Sequence, residues 1–171
     1  KLKNHDAAVD SEGHRTSDDW RYAHAGFRLD HQPDKKDHWT IQGDIYQGSF
    51  GYRYVSPQLT FPYYSINNDN NRMSGGNILA TWRRQLKDSE SYKLQVYYDQ
   101  TRQNLNLFEE ERHKADIEFQ HQRHFGNSHE VVWGLGYRLS VDDFEESTFA
   151  RIHPKSRHTH LFSFFIQDEI E

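Results

Sequence analysis

The chain has 171 residues, a formal net charge of -5 and a mean hydropathy of -1.07, and this acidic balance gives no indication of a nucleic-acid partner. Hydrophobic residues make up only 34% of the chain but aromatic residues reach 15%, and disordered chains are poor in aromatics, so the composition predicts a folded protein. The chain has no cysteine, which excludes disulfides and thiol chemistry. It has no apolar run of about 18 residues, which excludes a transmembrane helix.

The first segment, residues 1–18, is polar and has no periodicity, so we predict a loop or a disordered end. Residue 1 is Lys and the single methionine is the internal Met73. We therefore expect a piece of a longer protein, with any targeting segment outside the sequence.

Residues 19–171 alternate apolar and polar side chains. A period of two places successive side chains on opposite faces, which is typical of β-strands. No stretch has a convincing helical period, so we predict an all-β fold, an antiparallel meander of about seven long strands. The apolar positions in chain order are Ala23, Ala25, Phe27, Leu29, Trp39, Ile41, Ile45, Ile78, Ala80, Trp82, Leu86, Tyr92, Leu94, Val96, Tyr98, Ala115, Ile117, Phe119, Val131, Trp133, Leu135, Tyr137, Leu139, Val141, Phe162, Phe164 and Ile166.

The clearest hairpin covers residues 115–141. Each arm has roughly ten residues or more, longer than the usual five or six of a globular strand. The turn at 125–128 contains Gly and Asn, which tolerate the positive φ of a tight reversal. Gly134 and Gly136 fall on the polar side of the second arm, where we expect crowding or curvature to require small residues.

The connections between the predicted strands are unequal. Those at 33–37, 87–90 and 125–128 are short, and those at 47–74, 104–112 and 142–158 are predicted as long loops. Short and long connections alternate along the chain. We therefore expect tight turns at one end of the sheet and large loops at the other.

Two architectures fit this alternation. In a soluble antiparallel barrel or sandwich that binds a small ligand, as lipocalins do, the apolar face turns inward to a core. In an outer-membrane barrel the apolar face contacts lipid and the polar face lines the lumen. The long strands and unequal connections favour the membrane barrel. It predicts as lumen-facing residues Arg28, Asp44, Arg83, Asp99, Asp116, Glu118 and Arg138.

The residues give no indication of an enzyme or a metal site. His158 and His160 share a strand face, but no further ligand stands at a metal-binding spacing, so we predict no metal and no cofactor. The acidic pairs lie in predicted loops or at strand ends, without a second group for acid–base catalysis. We treat them as solvated charges.

The long connection from Gly48 to Arg72 is the best candidate for contacting a ligand. Its aromatic side chains suit stacking on a flat or aromatic chelate, and its arginines suit anionic oxygens. The simpler alternative, which we favour, is that these aromatics pack the loop against itself. The candidate residues are Tyr52, Arg53, Tyr54, Phe61, Tyr63, Tyr64 and Arg72.

An ordered series of strand sequences resembles the barrel of TonB-dependent outer-membrane receptors. No single motif is specific, but their order over roughly residues 20–170 is similar to that family. The segments are GFRLD (26–30), TIQGDIY (40–46), GGNILATWRRQL (75–86), YKLQVYYDQTRQ (92–103), DIEFQH (116–121), HEVVWGLGYRLSVDD (129–143) and FSFFIQDEI (162–170).

The resemblance implies a transporter of the Gram-negative outer membrane, with roughly 22 strands and a plugged lumen. Such a receptor imports a scarce nutrient such as a ferric siderophore and is energised by TonB through the plug. This chain lacks the plug, the TonB box and most of the strands, so the resemblance implies a middle portion of the barrel. The implied partners are outer-membrane lipid, TonB and the ligand. The two open edges of an isolated piece also predict an oligomer as a possible outcome.

Overall fold

The computed structural model describes residues 1–6, 8–9, 13, 16–87, 89–105, 108–126, 128–146 and 153–170. Over these residues the chain forms a single antiparallel sheet of eight strands in the order of the sequence. The strands are β1 (Leu2–His5), β2 (Trp20–His31), β3 (Asp37–Pro57), β4 (Tyr64–Lys87), β5 (Glu90–Leu105), β6 (Phe108–Phe125), β7 (His129–Glu146) and β8 (Ser156–Ile170).

The sheet is an open meander. Each strand pairs with its neighbours in sequence, and β1 makes no contact with β8. The all-β antiparallel meander predicted from the alternation is therefore confirmed. The sheet has one layer, and no hydrophobic side chain in the described part of the chain is buried.

The three short turns lie where the sequence predicts them. β2 ends at His31 and β3 begins at Asp37, and the Asp34 carboxylate accepts backbone hydrogen bonds from Lys36 and Asp37 at 2.7 and 2.8 Å. The other two turns join β4 to β5 and β6 to β7, and Gly126 has a φ of +66° in the latter. Asn127, the second residue predicted to favour that turn, lies outside the described residues.

The predicted extent of the three long loops was wrong. β3 runs on to Pro57 and β4 starts again at Tyr64, so the connection is the short tip 58–63. We call the outer part of this pair, residues 47–57 and 64–74, the projecting hairpin. Backbone pairing continues there because it does not require one apolar and one polar face. The alternation by which a strand is recognised in the sequence does require two different faces.

The same correction applies to the other two long connections and to the N-terminal segment. β5 ends at Leu105 and β6 begins at Phe108, so the predicted loop at 104–112 is mostly strand. β7 continues to Glu146 and β8 begins at Ser156, while residues 147–152 lie outside the described part. β1, within the segment predicted as a loop, pairs with β2 from Leu2 opposite Ala23 to His5 opposite Trp20.

The register brings the alternating apolar residues of seven strands onto one face. Residues directly opposite in an antiparallel pair lie on the same side of the sheet. One continuous row across the sheet is Leu29, Ile41, Ala80, Val96, Ile117, Tyr137 and Phe162.

Candidate functional site

The candidate site is the sheet itself, because its two faces differ in chemistry. We call the face that carries the row from Leu29 to Phe162 the apolar face, and the other the polar face. The register places all seven residues predicted to face a lumen together on the polar face. That this face lines a lumen stays a prediction. The seven residues are Arg28, Asp44, Arg83, Asp99, Asp116, Glu118 and Arg138.

The apolar face is open, and none of the described hydrophobic side chains is buried. Ile45 is 67% exposed and Leu135 is 52% exposed on this face. On the polar face, the side chain of Asp116 is only 10% exposed, although its partner Arg138 remains 45% exposed. A soluble sheet differs in that its apolar side chains are buried.

Cross-strand hydrogen bonds and ion pairs tie the polar face together. Arg138 donates to Asp116 at 2.6 Å between β7 and β6. Asn77 donates to Asp44 at 2.9 Å between β4 and β3, and Arg112 pairs with Asp142 between β6 and β7. These contacts shield charged groups without a hydrophobic core.

Indole and imidazole groups mark the turn end of the apolar face. Trp82 donates through Nε1 to Asp37 at 2.8 Å, and its ring stacks on Trp39 at 5.4 Å between centroids. Trp133 donates to His121 Nδ1 at 3.0 Å, and Nε2 of His121 lies 3.0 Å from Glu90 Oε1. Each of the two indole rings thus combines an apolar body with a satisfied polar group.

Tyrosine–histidine pairs lie on the same face nearer the loop end. The Tyr98 hydroxyl is 2.8 Å from His113 Nδ1, and the Tyr137 hydroxyl is 2.9 Å from His160 Nδ1. The sequence analysis did not detect these pairs, because each joins residues diagonal to one another on neighbouring strands. Once the turns fix the register, counting back from each turn would find them.

We call the run of apolar positions on this face, which includes these aromatic residues, the apolar band. In β7 it runs from Val131 to Val141, about eleven residues, and about 9–11 tilted residues cross a bilayer. Beyond it, toward the loops, the same face becomes polar. The residues there are Ser74, Arg102, Glu111, Asp143 and Ser156.

The apolar band slopes across the sheet. In β2 it covers Ala23 to Leu29, and in β8 it covers Phe162 to Ile166. The register connects Leu29, at the turn end of its run, with Phe162, at the loop end of its run. The centre of the band therefore moves by roughly five residues over six strand steps. With about 3.3 Å per residue and 4.8 Å between strands, this is a slope of about 30°.

Two glycines on the polar face allow aromatic rings to approach the backbone closely. A Cβ on Gly134 would lie 2.4 Å from a ring carbon of Phe165, and a Cβ on Gly75 would lie 2.6 Å from the Tyr46 hydroxyl. The expectation that small residues are needed around Gly134 is confirmed. The sequence indicated the close approach through the glycine alone. It did not identify the Phe165 ring that covers Gly134, because that ring comes from the neighbouring strand.

The candidate ligand-binding residues are not gathered in one pocket. Tyr52 and Tyr54 stack at 5.6 Å on the polar face of the projecting hairpin. Arg53 lies on the opposite face, where its Nε donates to Asn68 at 3.2 Å, and Arg72 shares that face. The remaining three are at or beside the tip: Phe61 and Tyr63, whose rings meet edge-on at 6.2 Å, and Tyr64, which begins β4 opposite Pro57.

The described residues contain no group of three or more His, Cys, Asp or Glu that is arranged to hold a metal ion. Within the same residues, no helix has the length and apolar character needed to span a membrane. Comparison of the chain with known protein families, curated proteins and solved structures finds no match.

Proposed function

We propose that this sheet is part of the wall of a transmembrane β-barrel in the outer membrane of a Gram-negative bacterium. In this proposal the apolar band contacts lipid and the polar face turns to an aqueous lumen. The observation that carries it is the division of the sheet: large apolar side chains such as Ile45 are exposed on one face, while carboxylates such as Asp116 are shielded and paired on the other.

The slope of the band supports the same function. Strands in a membrane barrel tilt by about 35–45°, so a band parallel to the membrane must shift along successive strands. The observed slope of about 30° approaches that range. A flat sheet covered by a second layer has no need of such a shift.

The polar ends of the band also fit a bilayer. Amphipathic aromatic rings gather at the two membrane–water interfaces of such barrels. Trp82 and Trp133 lie toward the turn end, and Tyr98 ends the apolar run of β5 on the loop side. Each has its polar group hydrogen-bonded while its ring remains on the apolar face.

The finer function that we propose comes from the sequence resemblance. The chain is a portion of a TonB-dependent receptor that imports a scarce nutrient such as a ferric siderophore, and it is not an enzyme. TonB acts through a plug region that this sequence does not contain. Tyr52 and Tyr54, which face the proposed lumen side by side, are the members of the candidate ligand set best placed to contact a passing ligand.

The alternative of a soluble ligand-binding barrel or sandwich requires the apolar face to be covered. No hydrophobic side chain is buried in the part of the chain that the structure describes. An isolated piece would have to cover both this face and its strand edges by association.

Tryptophan quenching by brominated lipid tests the membrane assignment. One variant keeps only Trp133, on the apolar face, and a matched variant keeps only Trp20, opposite Phe50 on the polar face toward the loop end; the other three tryptophans become Phe. In vesicles we expect strong quenching of Trp133 and little of Trp20. Equal quenching of both, or of neither, contradicts the proposed lipid contact.

A further inference from the structure

A row of three cationic or titratable side chains crosses the polar face near the turn end of β3, β4 and β5. His38 lies directly opposite Arg83, and Arg83 lies directly opposite Lys93. Like charges in this position destabilise a sheet. We call these three residues the cation row.

The described part of the chain places no carboxylate in an ion pair with Arg83 or Lys93. Among the described residues, neither Arg83 nor Lys93 has a carboxylate oxygen within 4.0 Å. His38 lies 4.0 Å from Asp30. Three arginines elsewhere on the same face, Arg28, Arg112 and Arg138, are paired with carboxylates, as Arg138 is with Asp116 at 2.6 Å.

A groove of about 510 Å³ lies over the cation row. Its lining adds Lys36, whose backbone carbonyl accepts from Gln85 at 2.8 Å, and the amide side chains of Gln120 and Gln122. The Gln122 amide is engaged, since it donates to Glu130 and accepts from Ser91, so the groove combines positive charge with the neutral amide of Gln120. It is wide enough for a small anion and part of the molecule that carries it.

We propose that the cation row binds the phosphate group of a soluble ligand. A guanidinium offers a planar pair of donors that matches phosphate oxygens, and a lysine ammonium adds a point charge. Two full charges match a phosphate monoester, which carries about -1.5 to -2 at pH 7, better than a single carboxylate. A lipid headgroup beside the apolar face would lie on the other side of the sheet. The site does not depend on where the sheet resides.

Titration calorimetry with inorganic phosphate tests the proposal, using the full 171-residue chain in a neutral, phosphate-free detergent. We expect saturable binding that weakens at least about tenfold in Arg83→Gln and in Lys93→Gln, since each removes a charge-assisted contact. Lys93→Arg should restore it. Lys114→Gln is the matched control, because Lys114 is on the same face but opposite Asp99, and it should leave the affinity within about twofold.

Several results would overturn the proposal. They are the absence of saturable phosphate binding, an equal loss in Lys114→Gln, or acetate binding as tightly as phosphate. Displacement of phosphate by phosphatidylglycerol added to the micelles would assign the site to a lipid headgroup. Far-UV circular dichroism checks that each variant folds. If Arg83→Gln does not fold, the comparison of Lys93→Gln with Lys93→Arg decides the outcome.

Discussion

The apolar band and the projecting hairpin belong to the same two strands, β3 and β4, yet only the band concentrates its apolar residues on one face. Trp39 and Ile45 lie in the band on the apolar face, with Asp44 on the other side. In the projecting hairpin, Arg53 and Asn68 occupy the continuation of the apolar face. One hydrogen-bonded ladder thus runs through two stretches of different side-chain chemistry. Backbone pairing therefore sets the length of the strands, and the side chains set the chemistry of each stretch.

The largest effect should come from placing a charge in the band. We expect Ile117→Arg to lower the free energy of unfolding in lipid vesicles by about 2–4 kcal/mol, the cost of an arginine at the middle of the lipid-facing side of a barrel. The measurement is a guanidinium titration followed by tryptophan fluorescence.

The matched control carries the same change into the projecting hairpin. Val55 lies on the continuation of the apolar face and is 64% exposed. Val55→Arg should cost only about 0–1 kcal/mol, because the projecting hairpin lies outside the proposed bilayer. Similar costs at the two positions would mean that the band and the hairpin share one environment.

The next effect tests close packing within the band region. Gly134→Val places a Cβ 2.4 Å from a ring carbon of Phe165. We expect this crowding to lower the free energy of unfolding by about 1–3 kcal/mol. The double variant with Phe165→Leu should recover part of the loss, because the smaller side chain can move away. A purely additive double variant would show that the ring and the glycine are energetically independent.

A smaller effect compares ion pairs in the two regions. Arg138 and Asp116 pair at 2.6 Å, with the aspartate side chain 10% exposed. A double-mutant cycle with Arg138→Gln and Asp116→Asn should give a coupling of about 1 kcal/mol.

The comparison pair lies beyond the band. Arg102 and Glu109 approach to 2.6 Å, and this hydrogen bond to Glu109 raises the pKa of the Arg102 guanidinium. Because Arg102 is exposed, solvent and salt screen the pair, and its coupling should be the smaller of the two and should vanish in high salt. A coupling that equals or exceeds that of Arg138 and Asp116 would contradict this order.

The band was predictable from the sequence and the projecting hairpin was not, for a physical reason. Alternation such as Leu94, Val96 and Tyr98 records a difference between two faces, so it appears only where the faces meet different surroundings. Beyond the band each face mixes apolar and polar residues, with Val55 beside Arg53 on one face and Tyr54 beside Ser56 on the other. Residues such as Asn68 look like loop residues although they pair in β4.

The same limit applied to the site. The alternation within each strand was enough to predict which residues lie on the polar face. Arg83 was therefore assigned to that face without any knowledge of its cross-strand neighbours. Its position between His38 and Lys93 depends on the register across the tip between β3 and β4 and across the turn between β4 and β5, which follows a register shift between Gln85 and Lys87. Local sequence determines which face a residue occupies, whereas turns and bulges determine its cross-strand neighbours.

The smallest effect concerns the turn between β2 and β3, at the end of the sheet opposite the projecting hairpin. The backbone N–H groups of Asp37 and Lys36 lower the pKa of the Asp34 carboxyl below its ordinary value of 3.8. The stabilisation is therefore present above that ordinary value and is lost as the pH falls through the lower pKa of the folded state. We expect the amide signal of Lys36 to titrate below pH 3.8 and to lose this titration in Asp34→Asn, whose neutral side chain keeps an acceptor oxygen. A midpoint above the ordinary value would show that the carboxylate does not hold this turn.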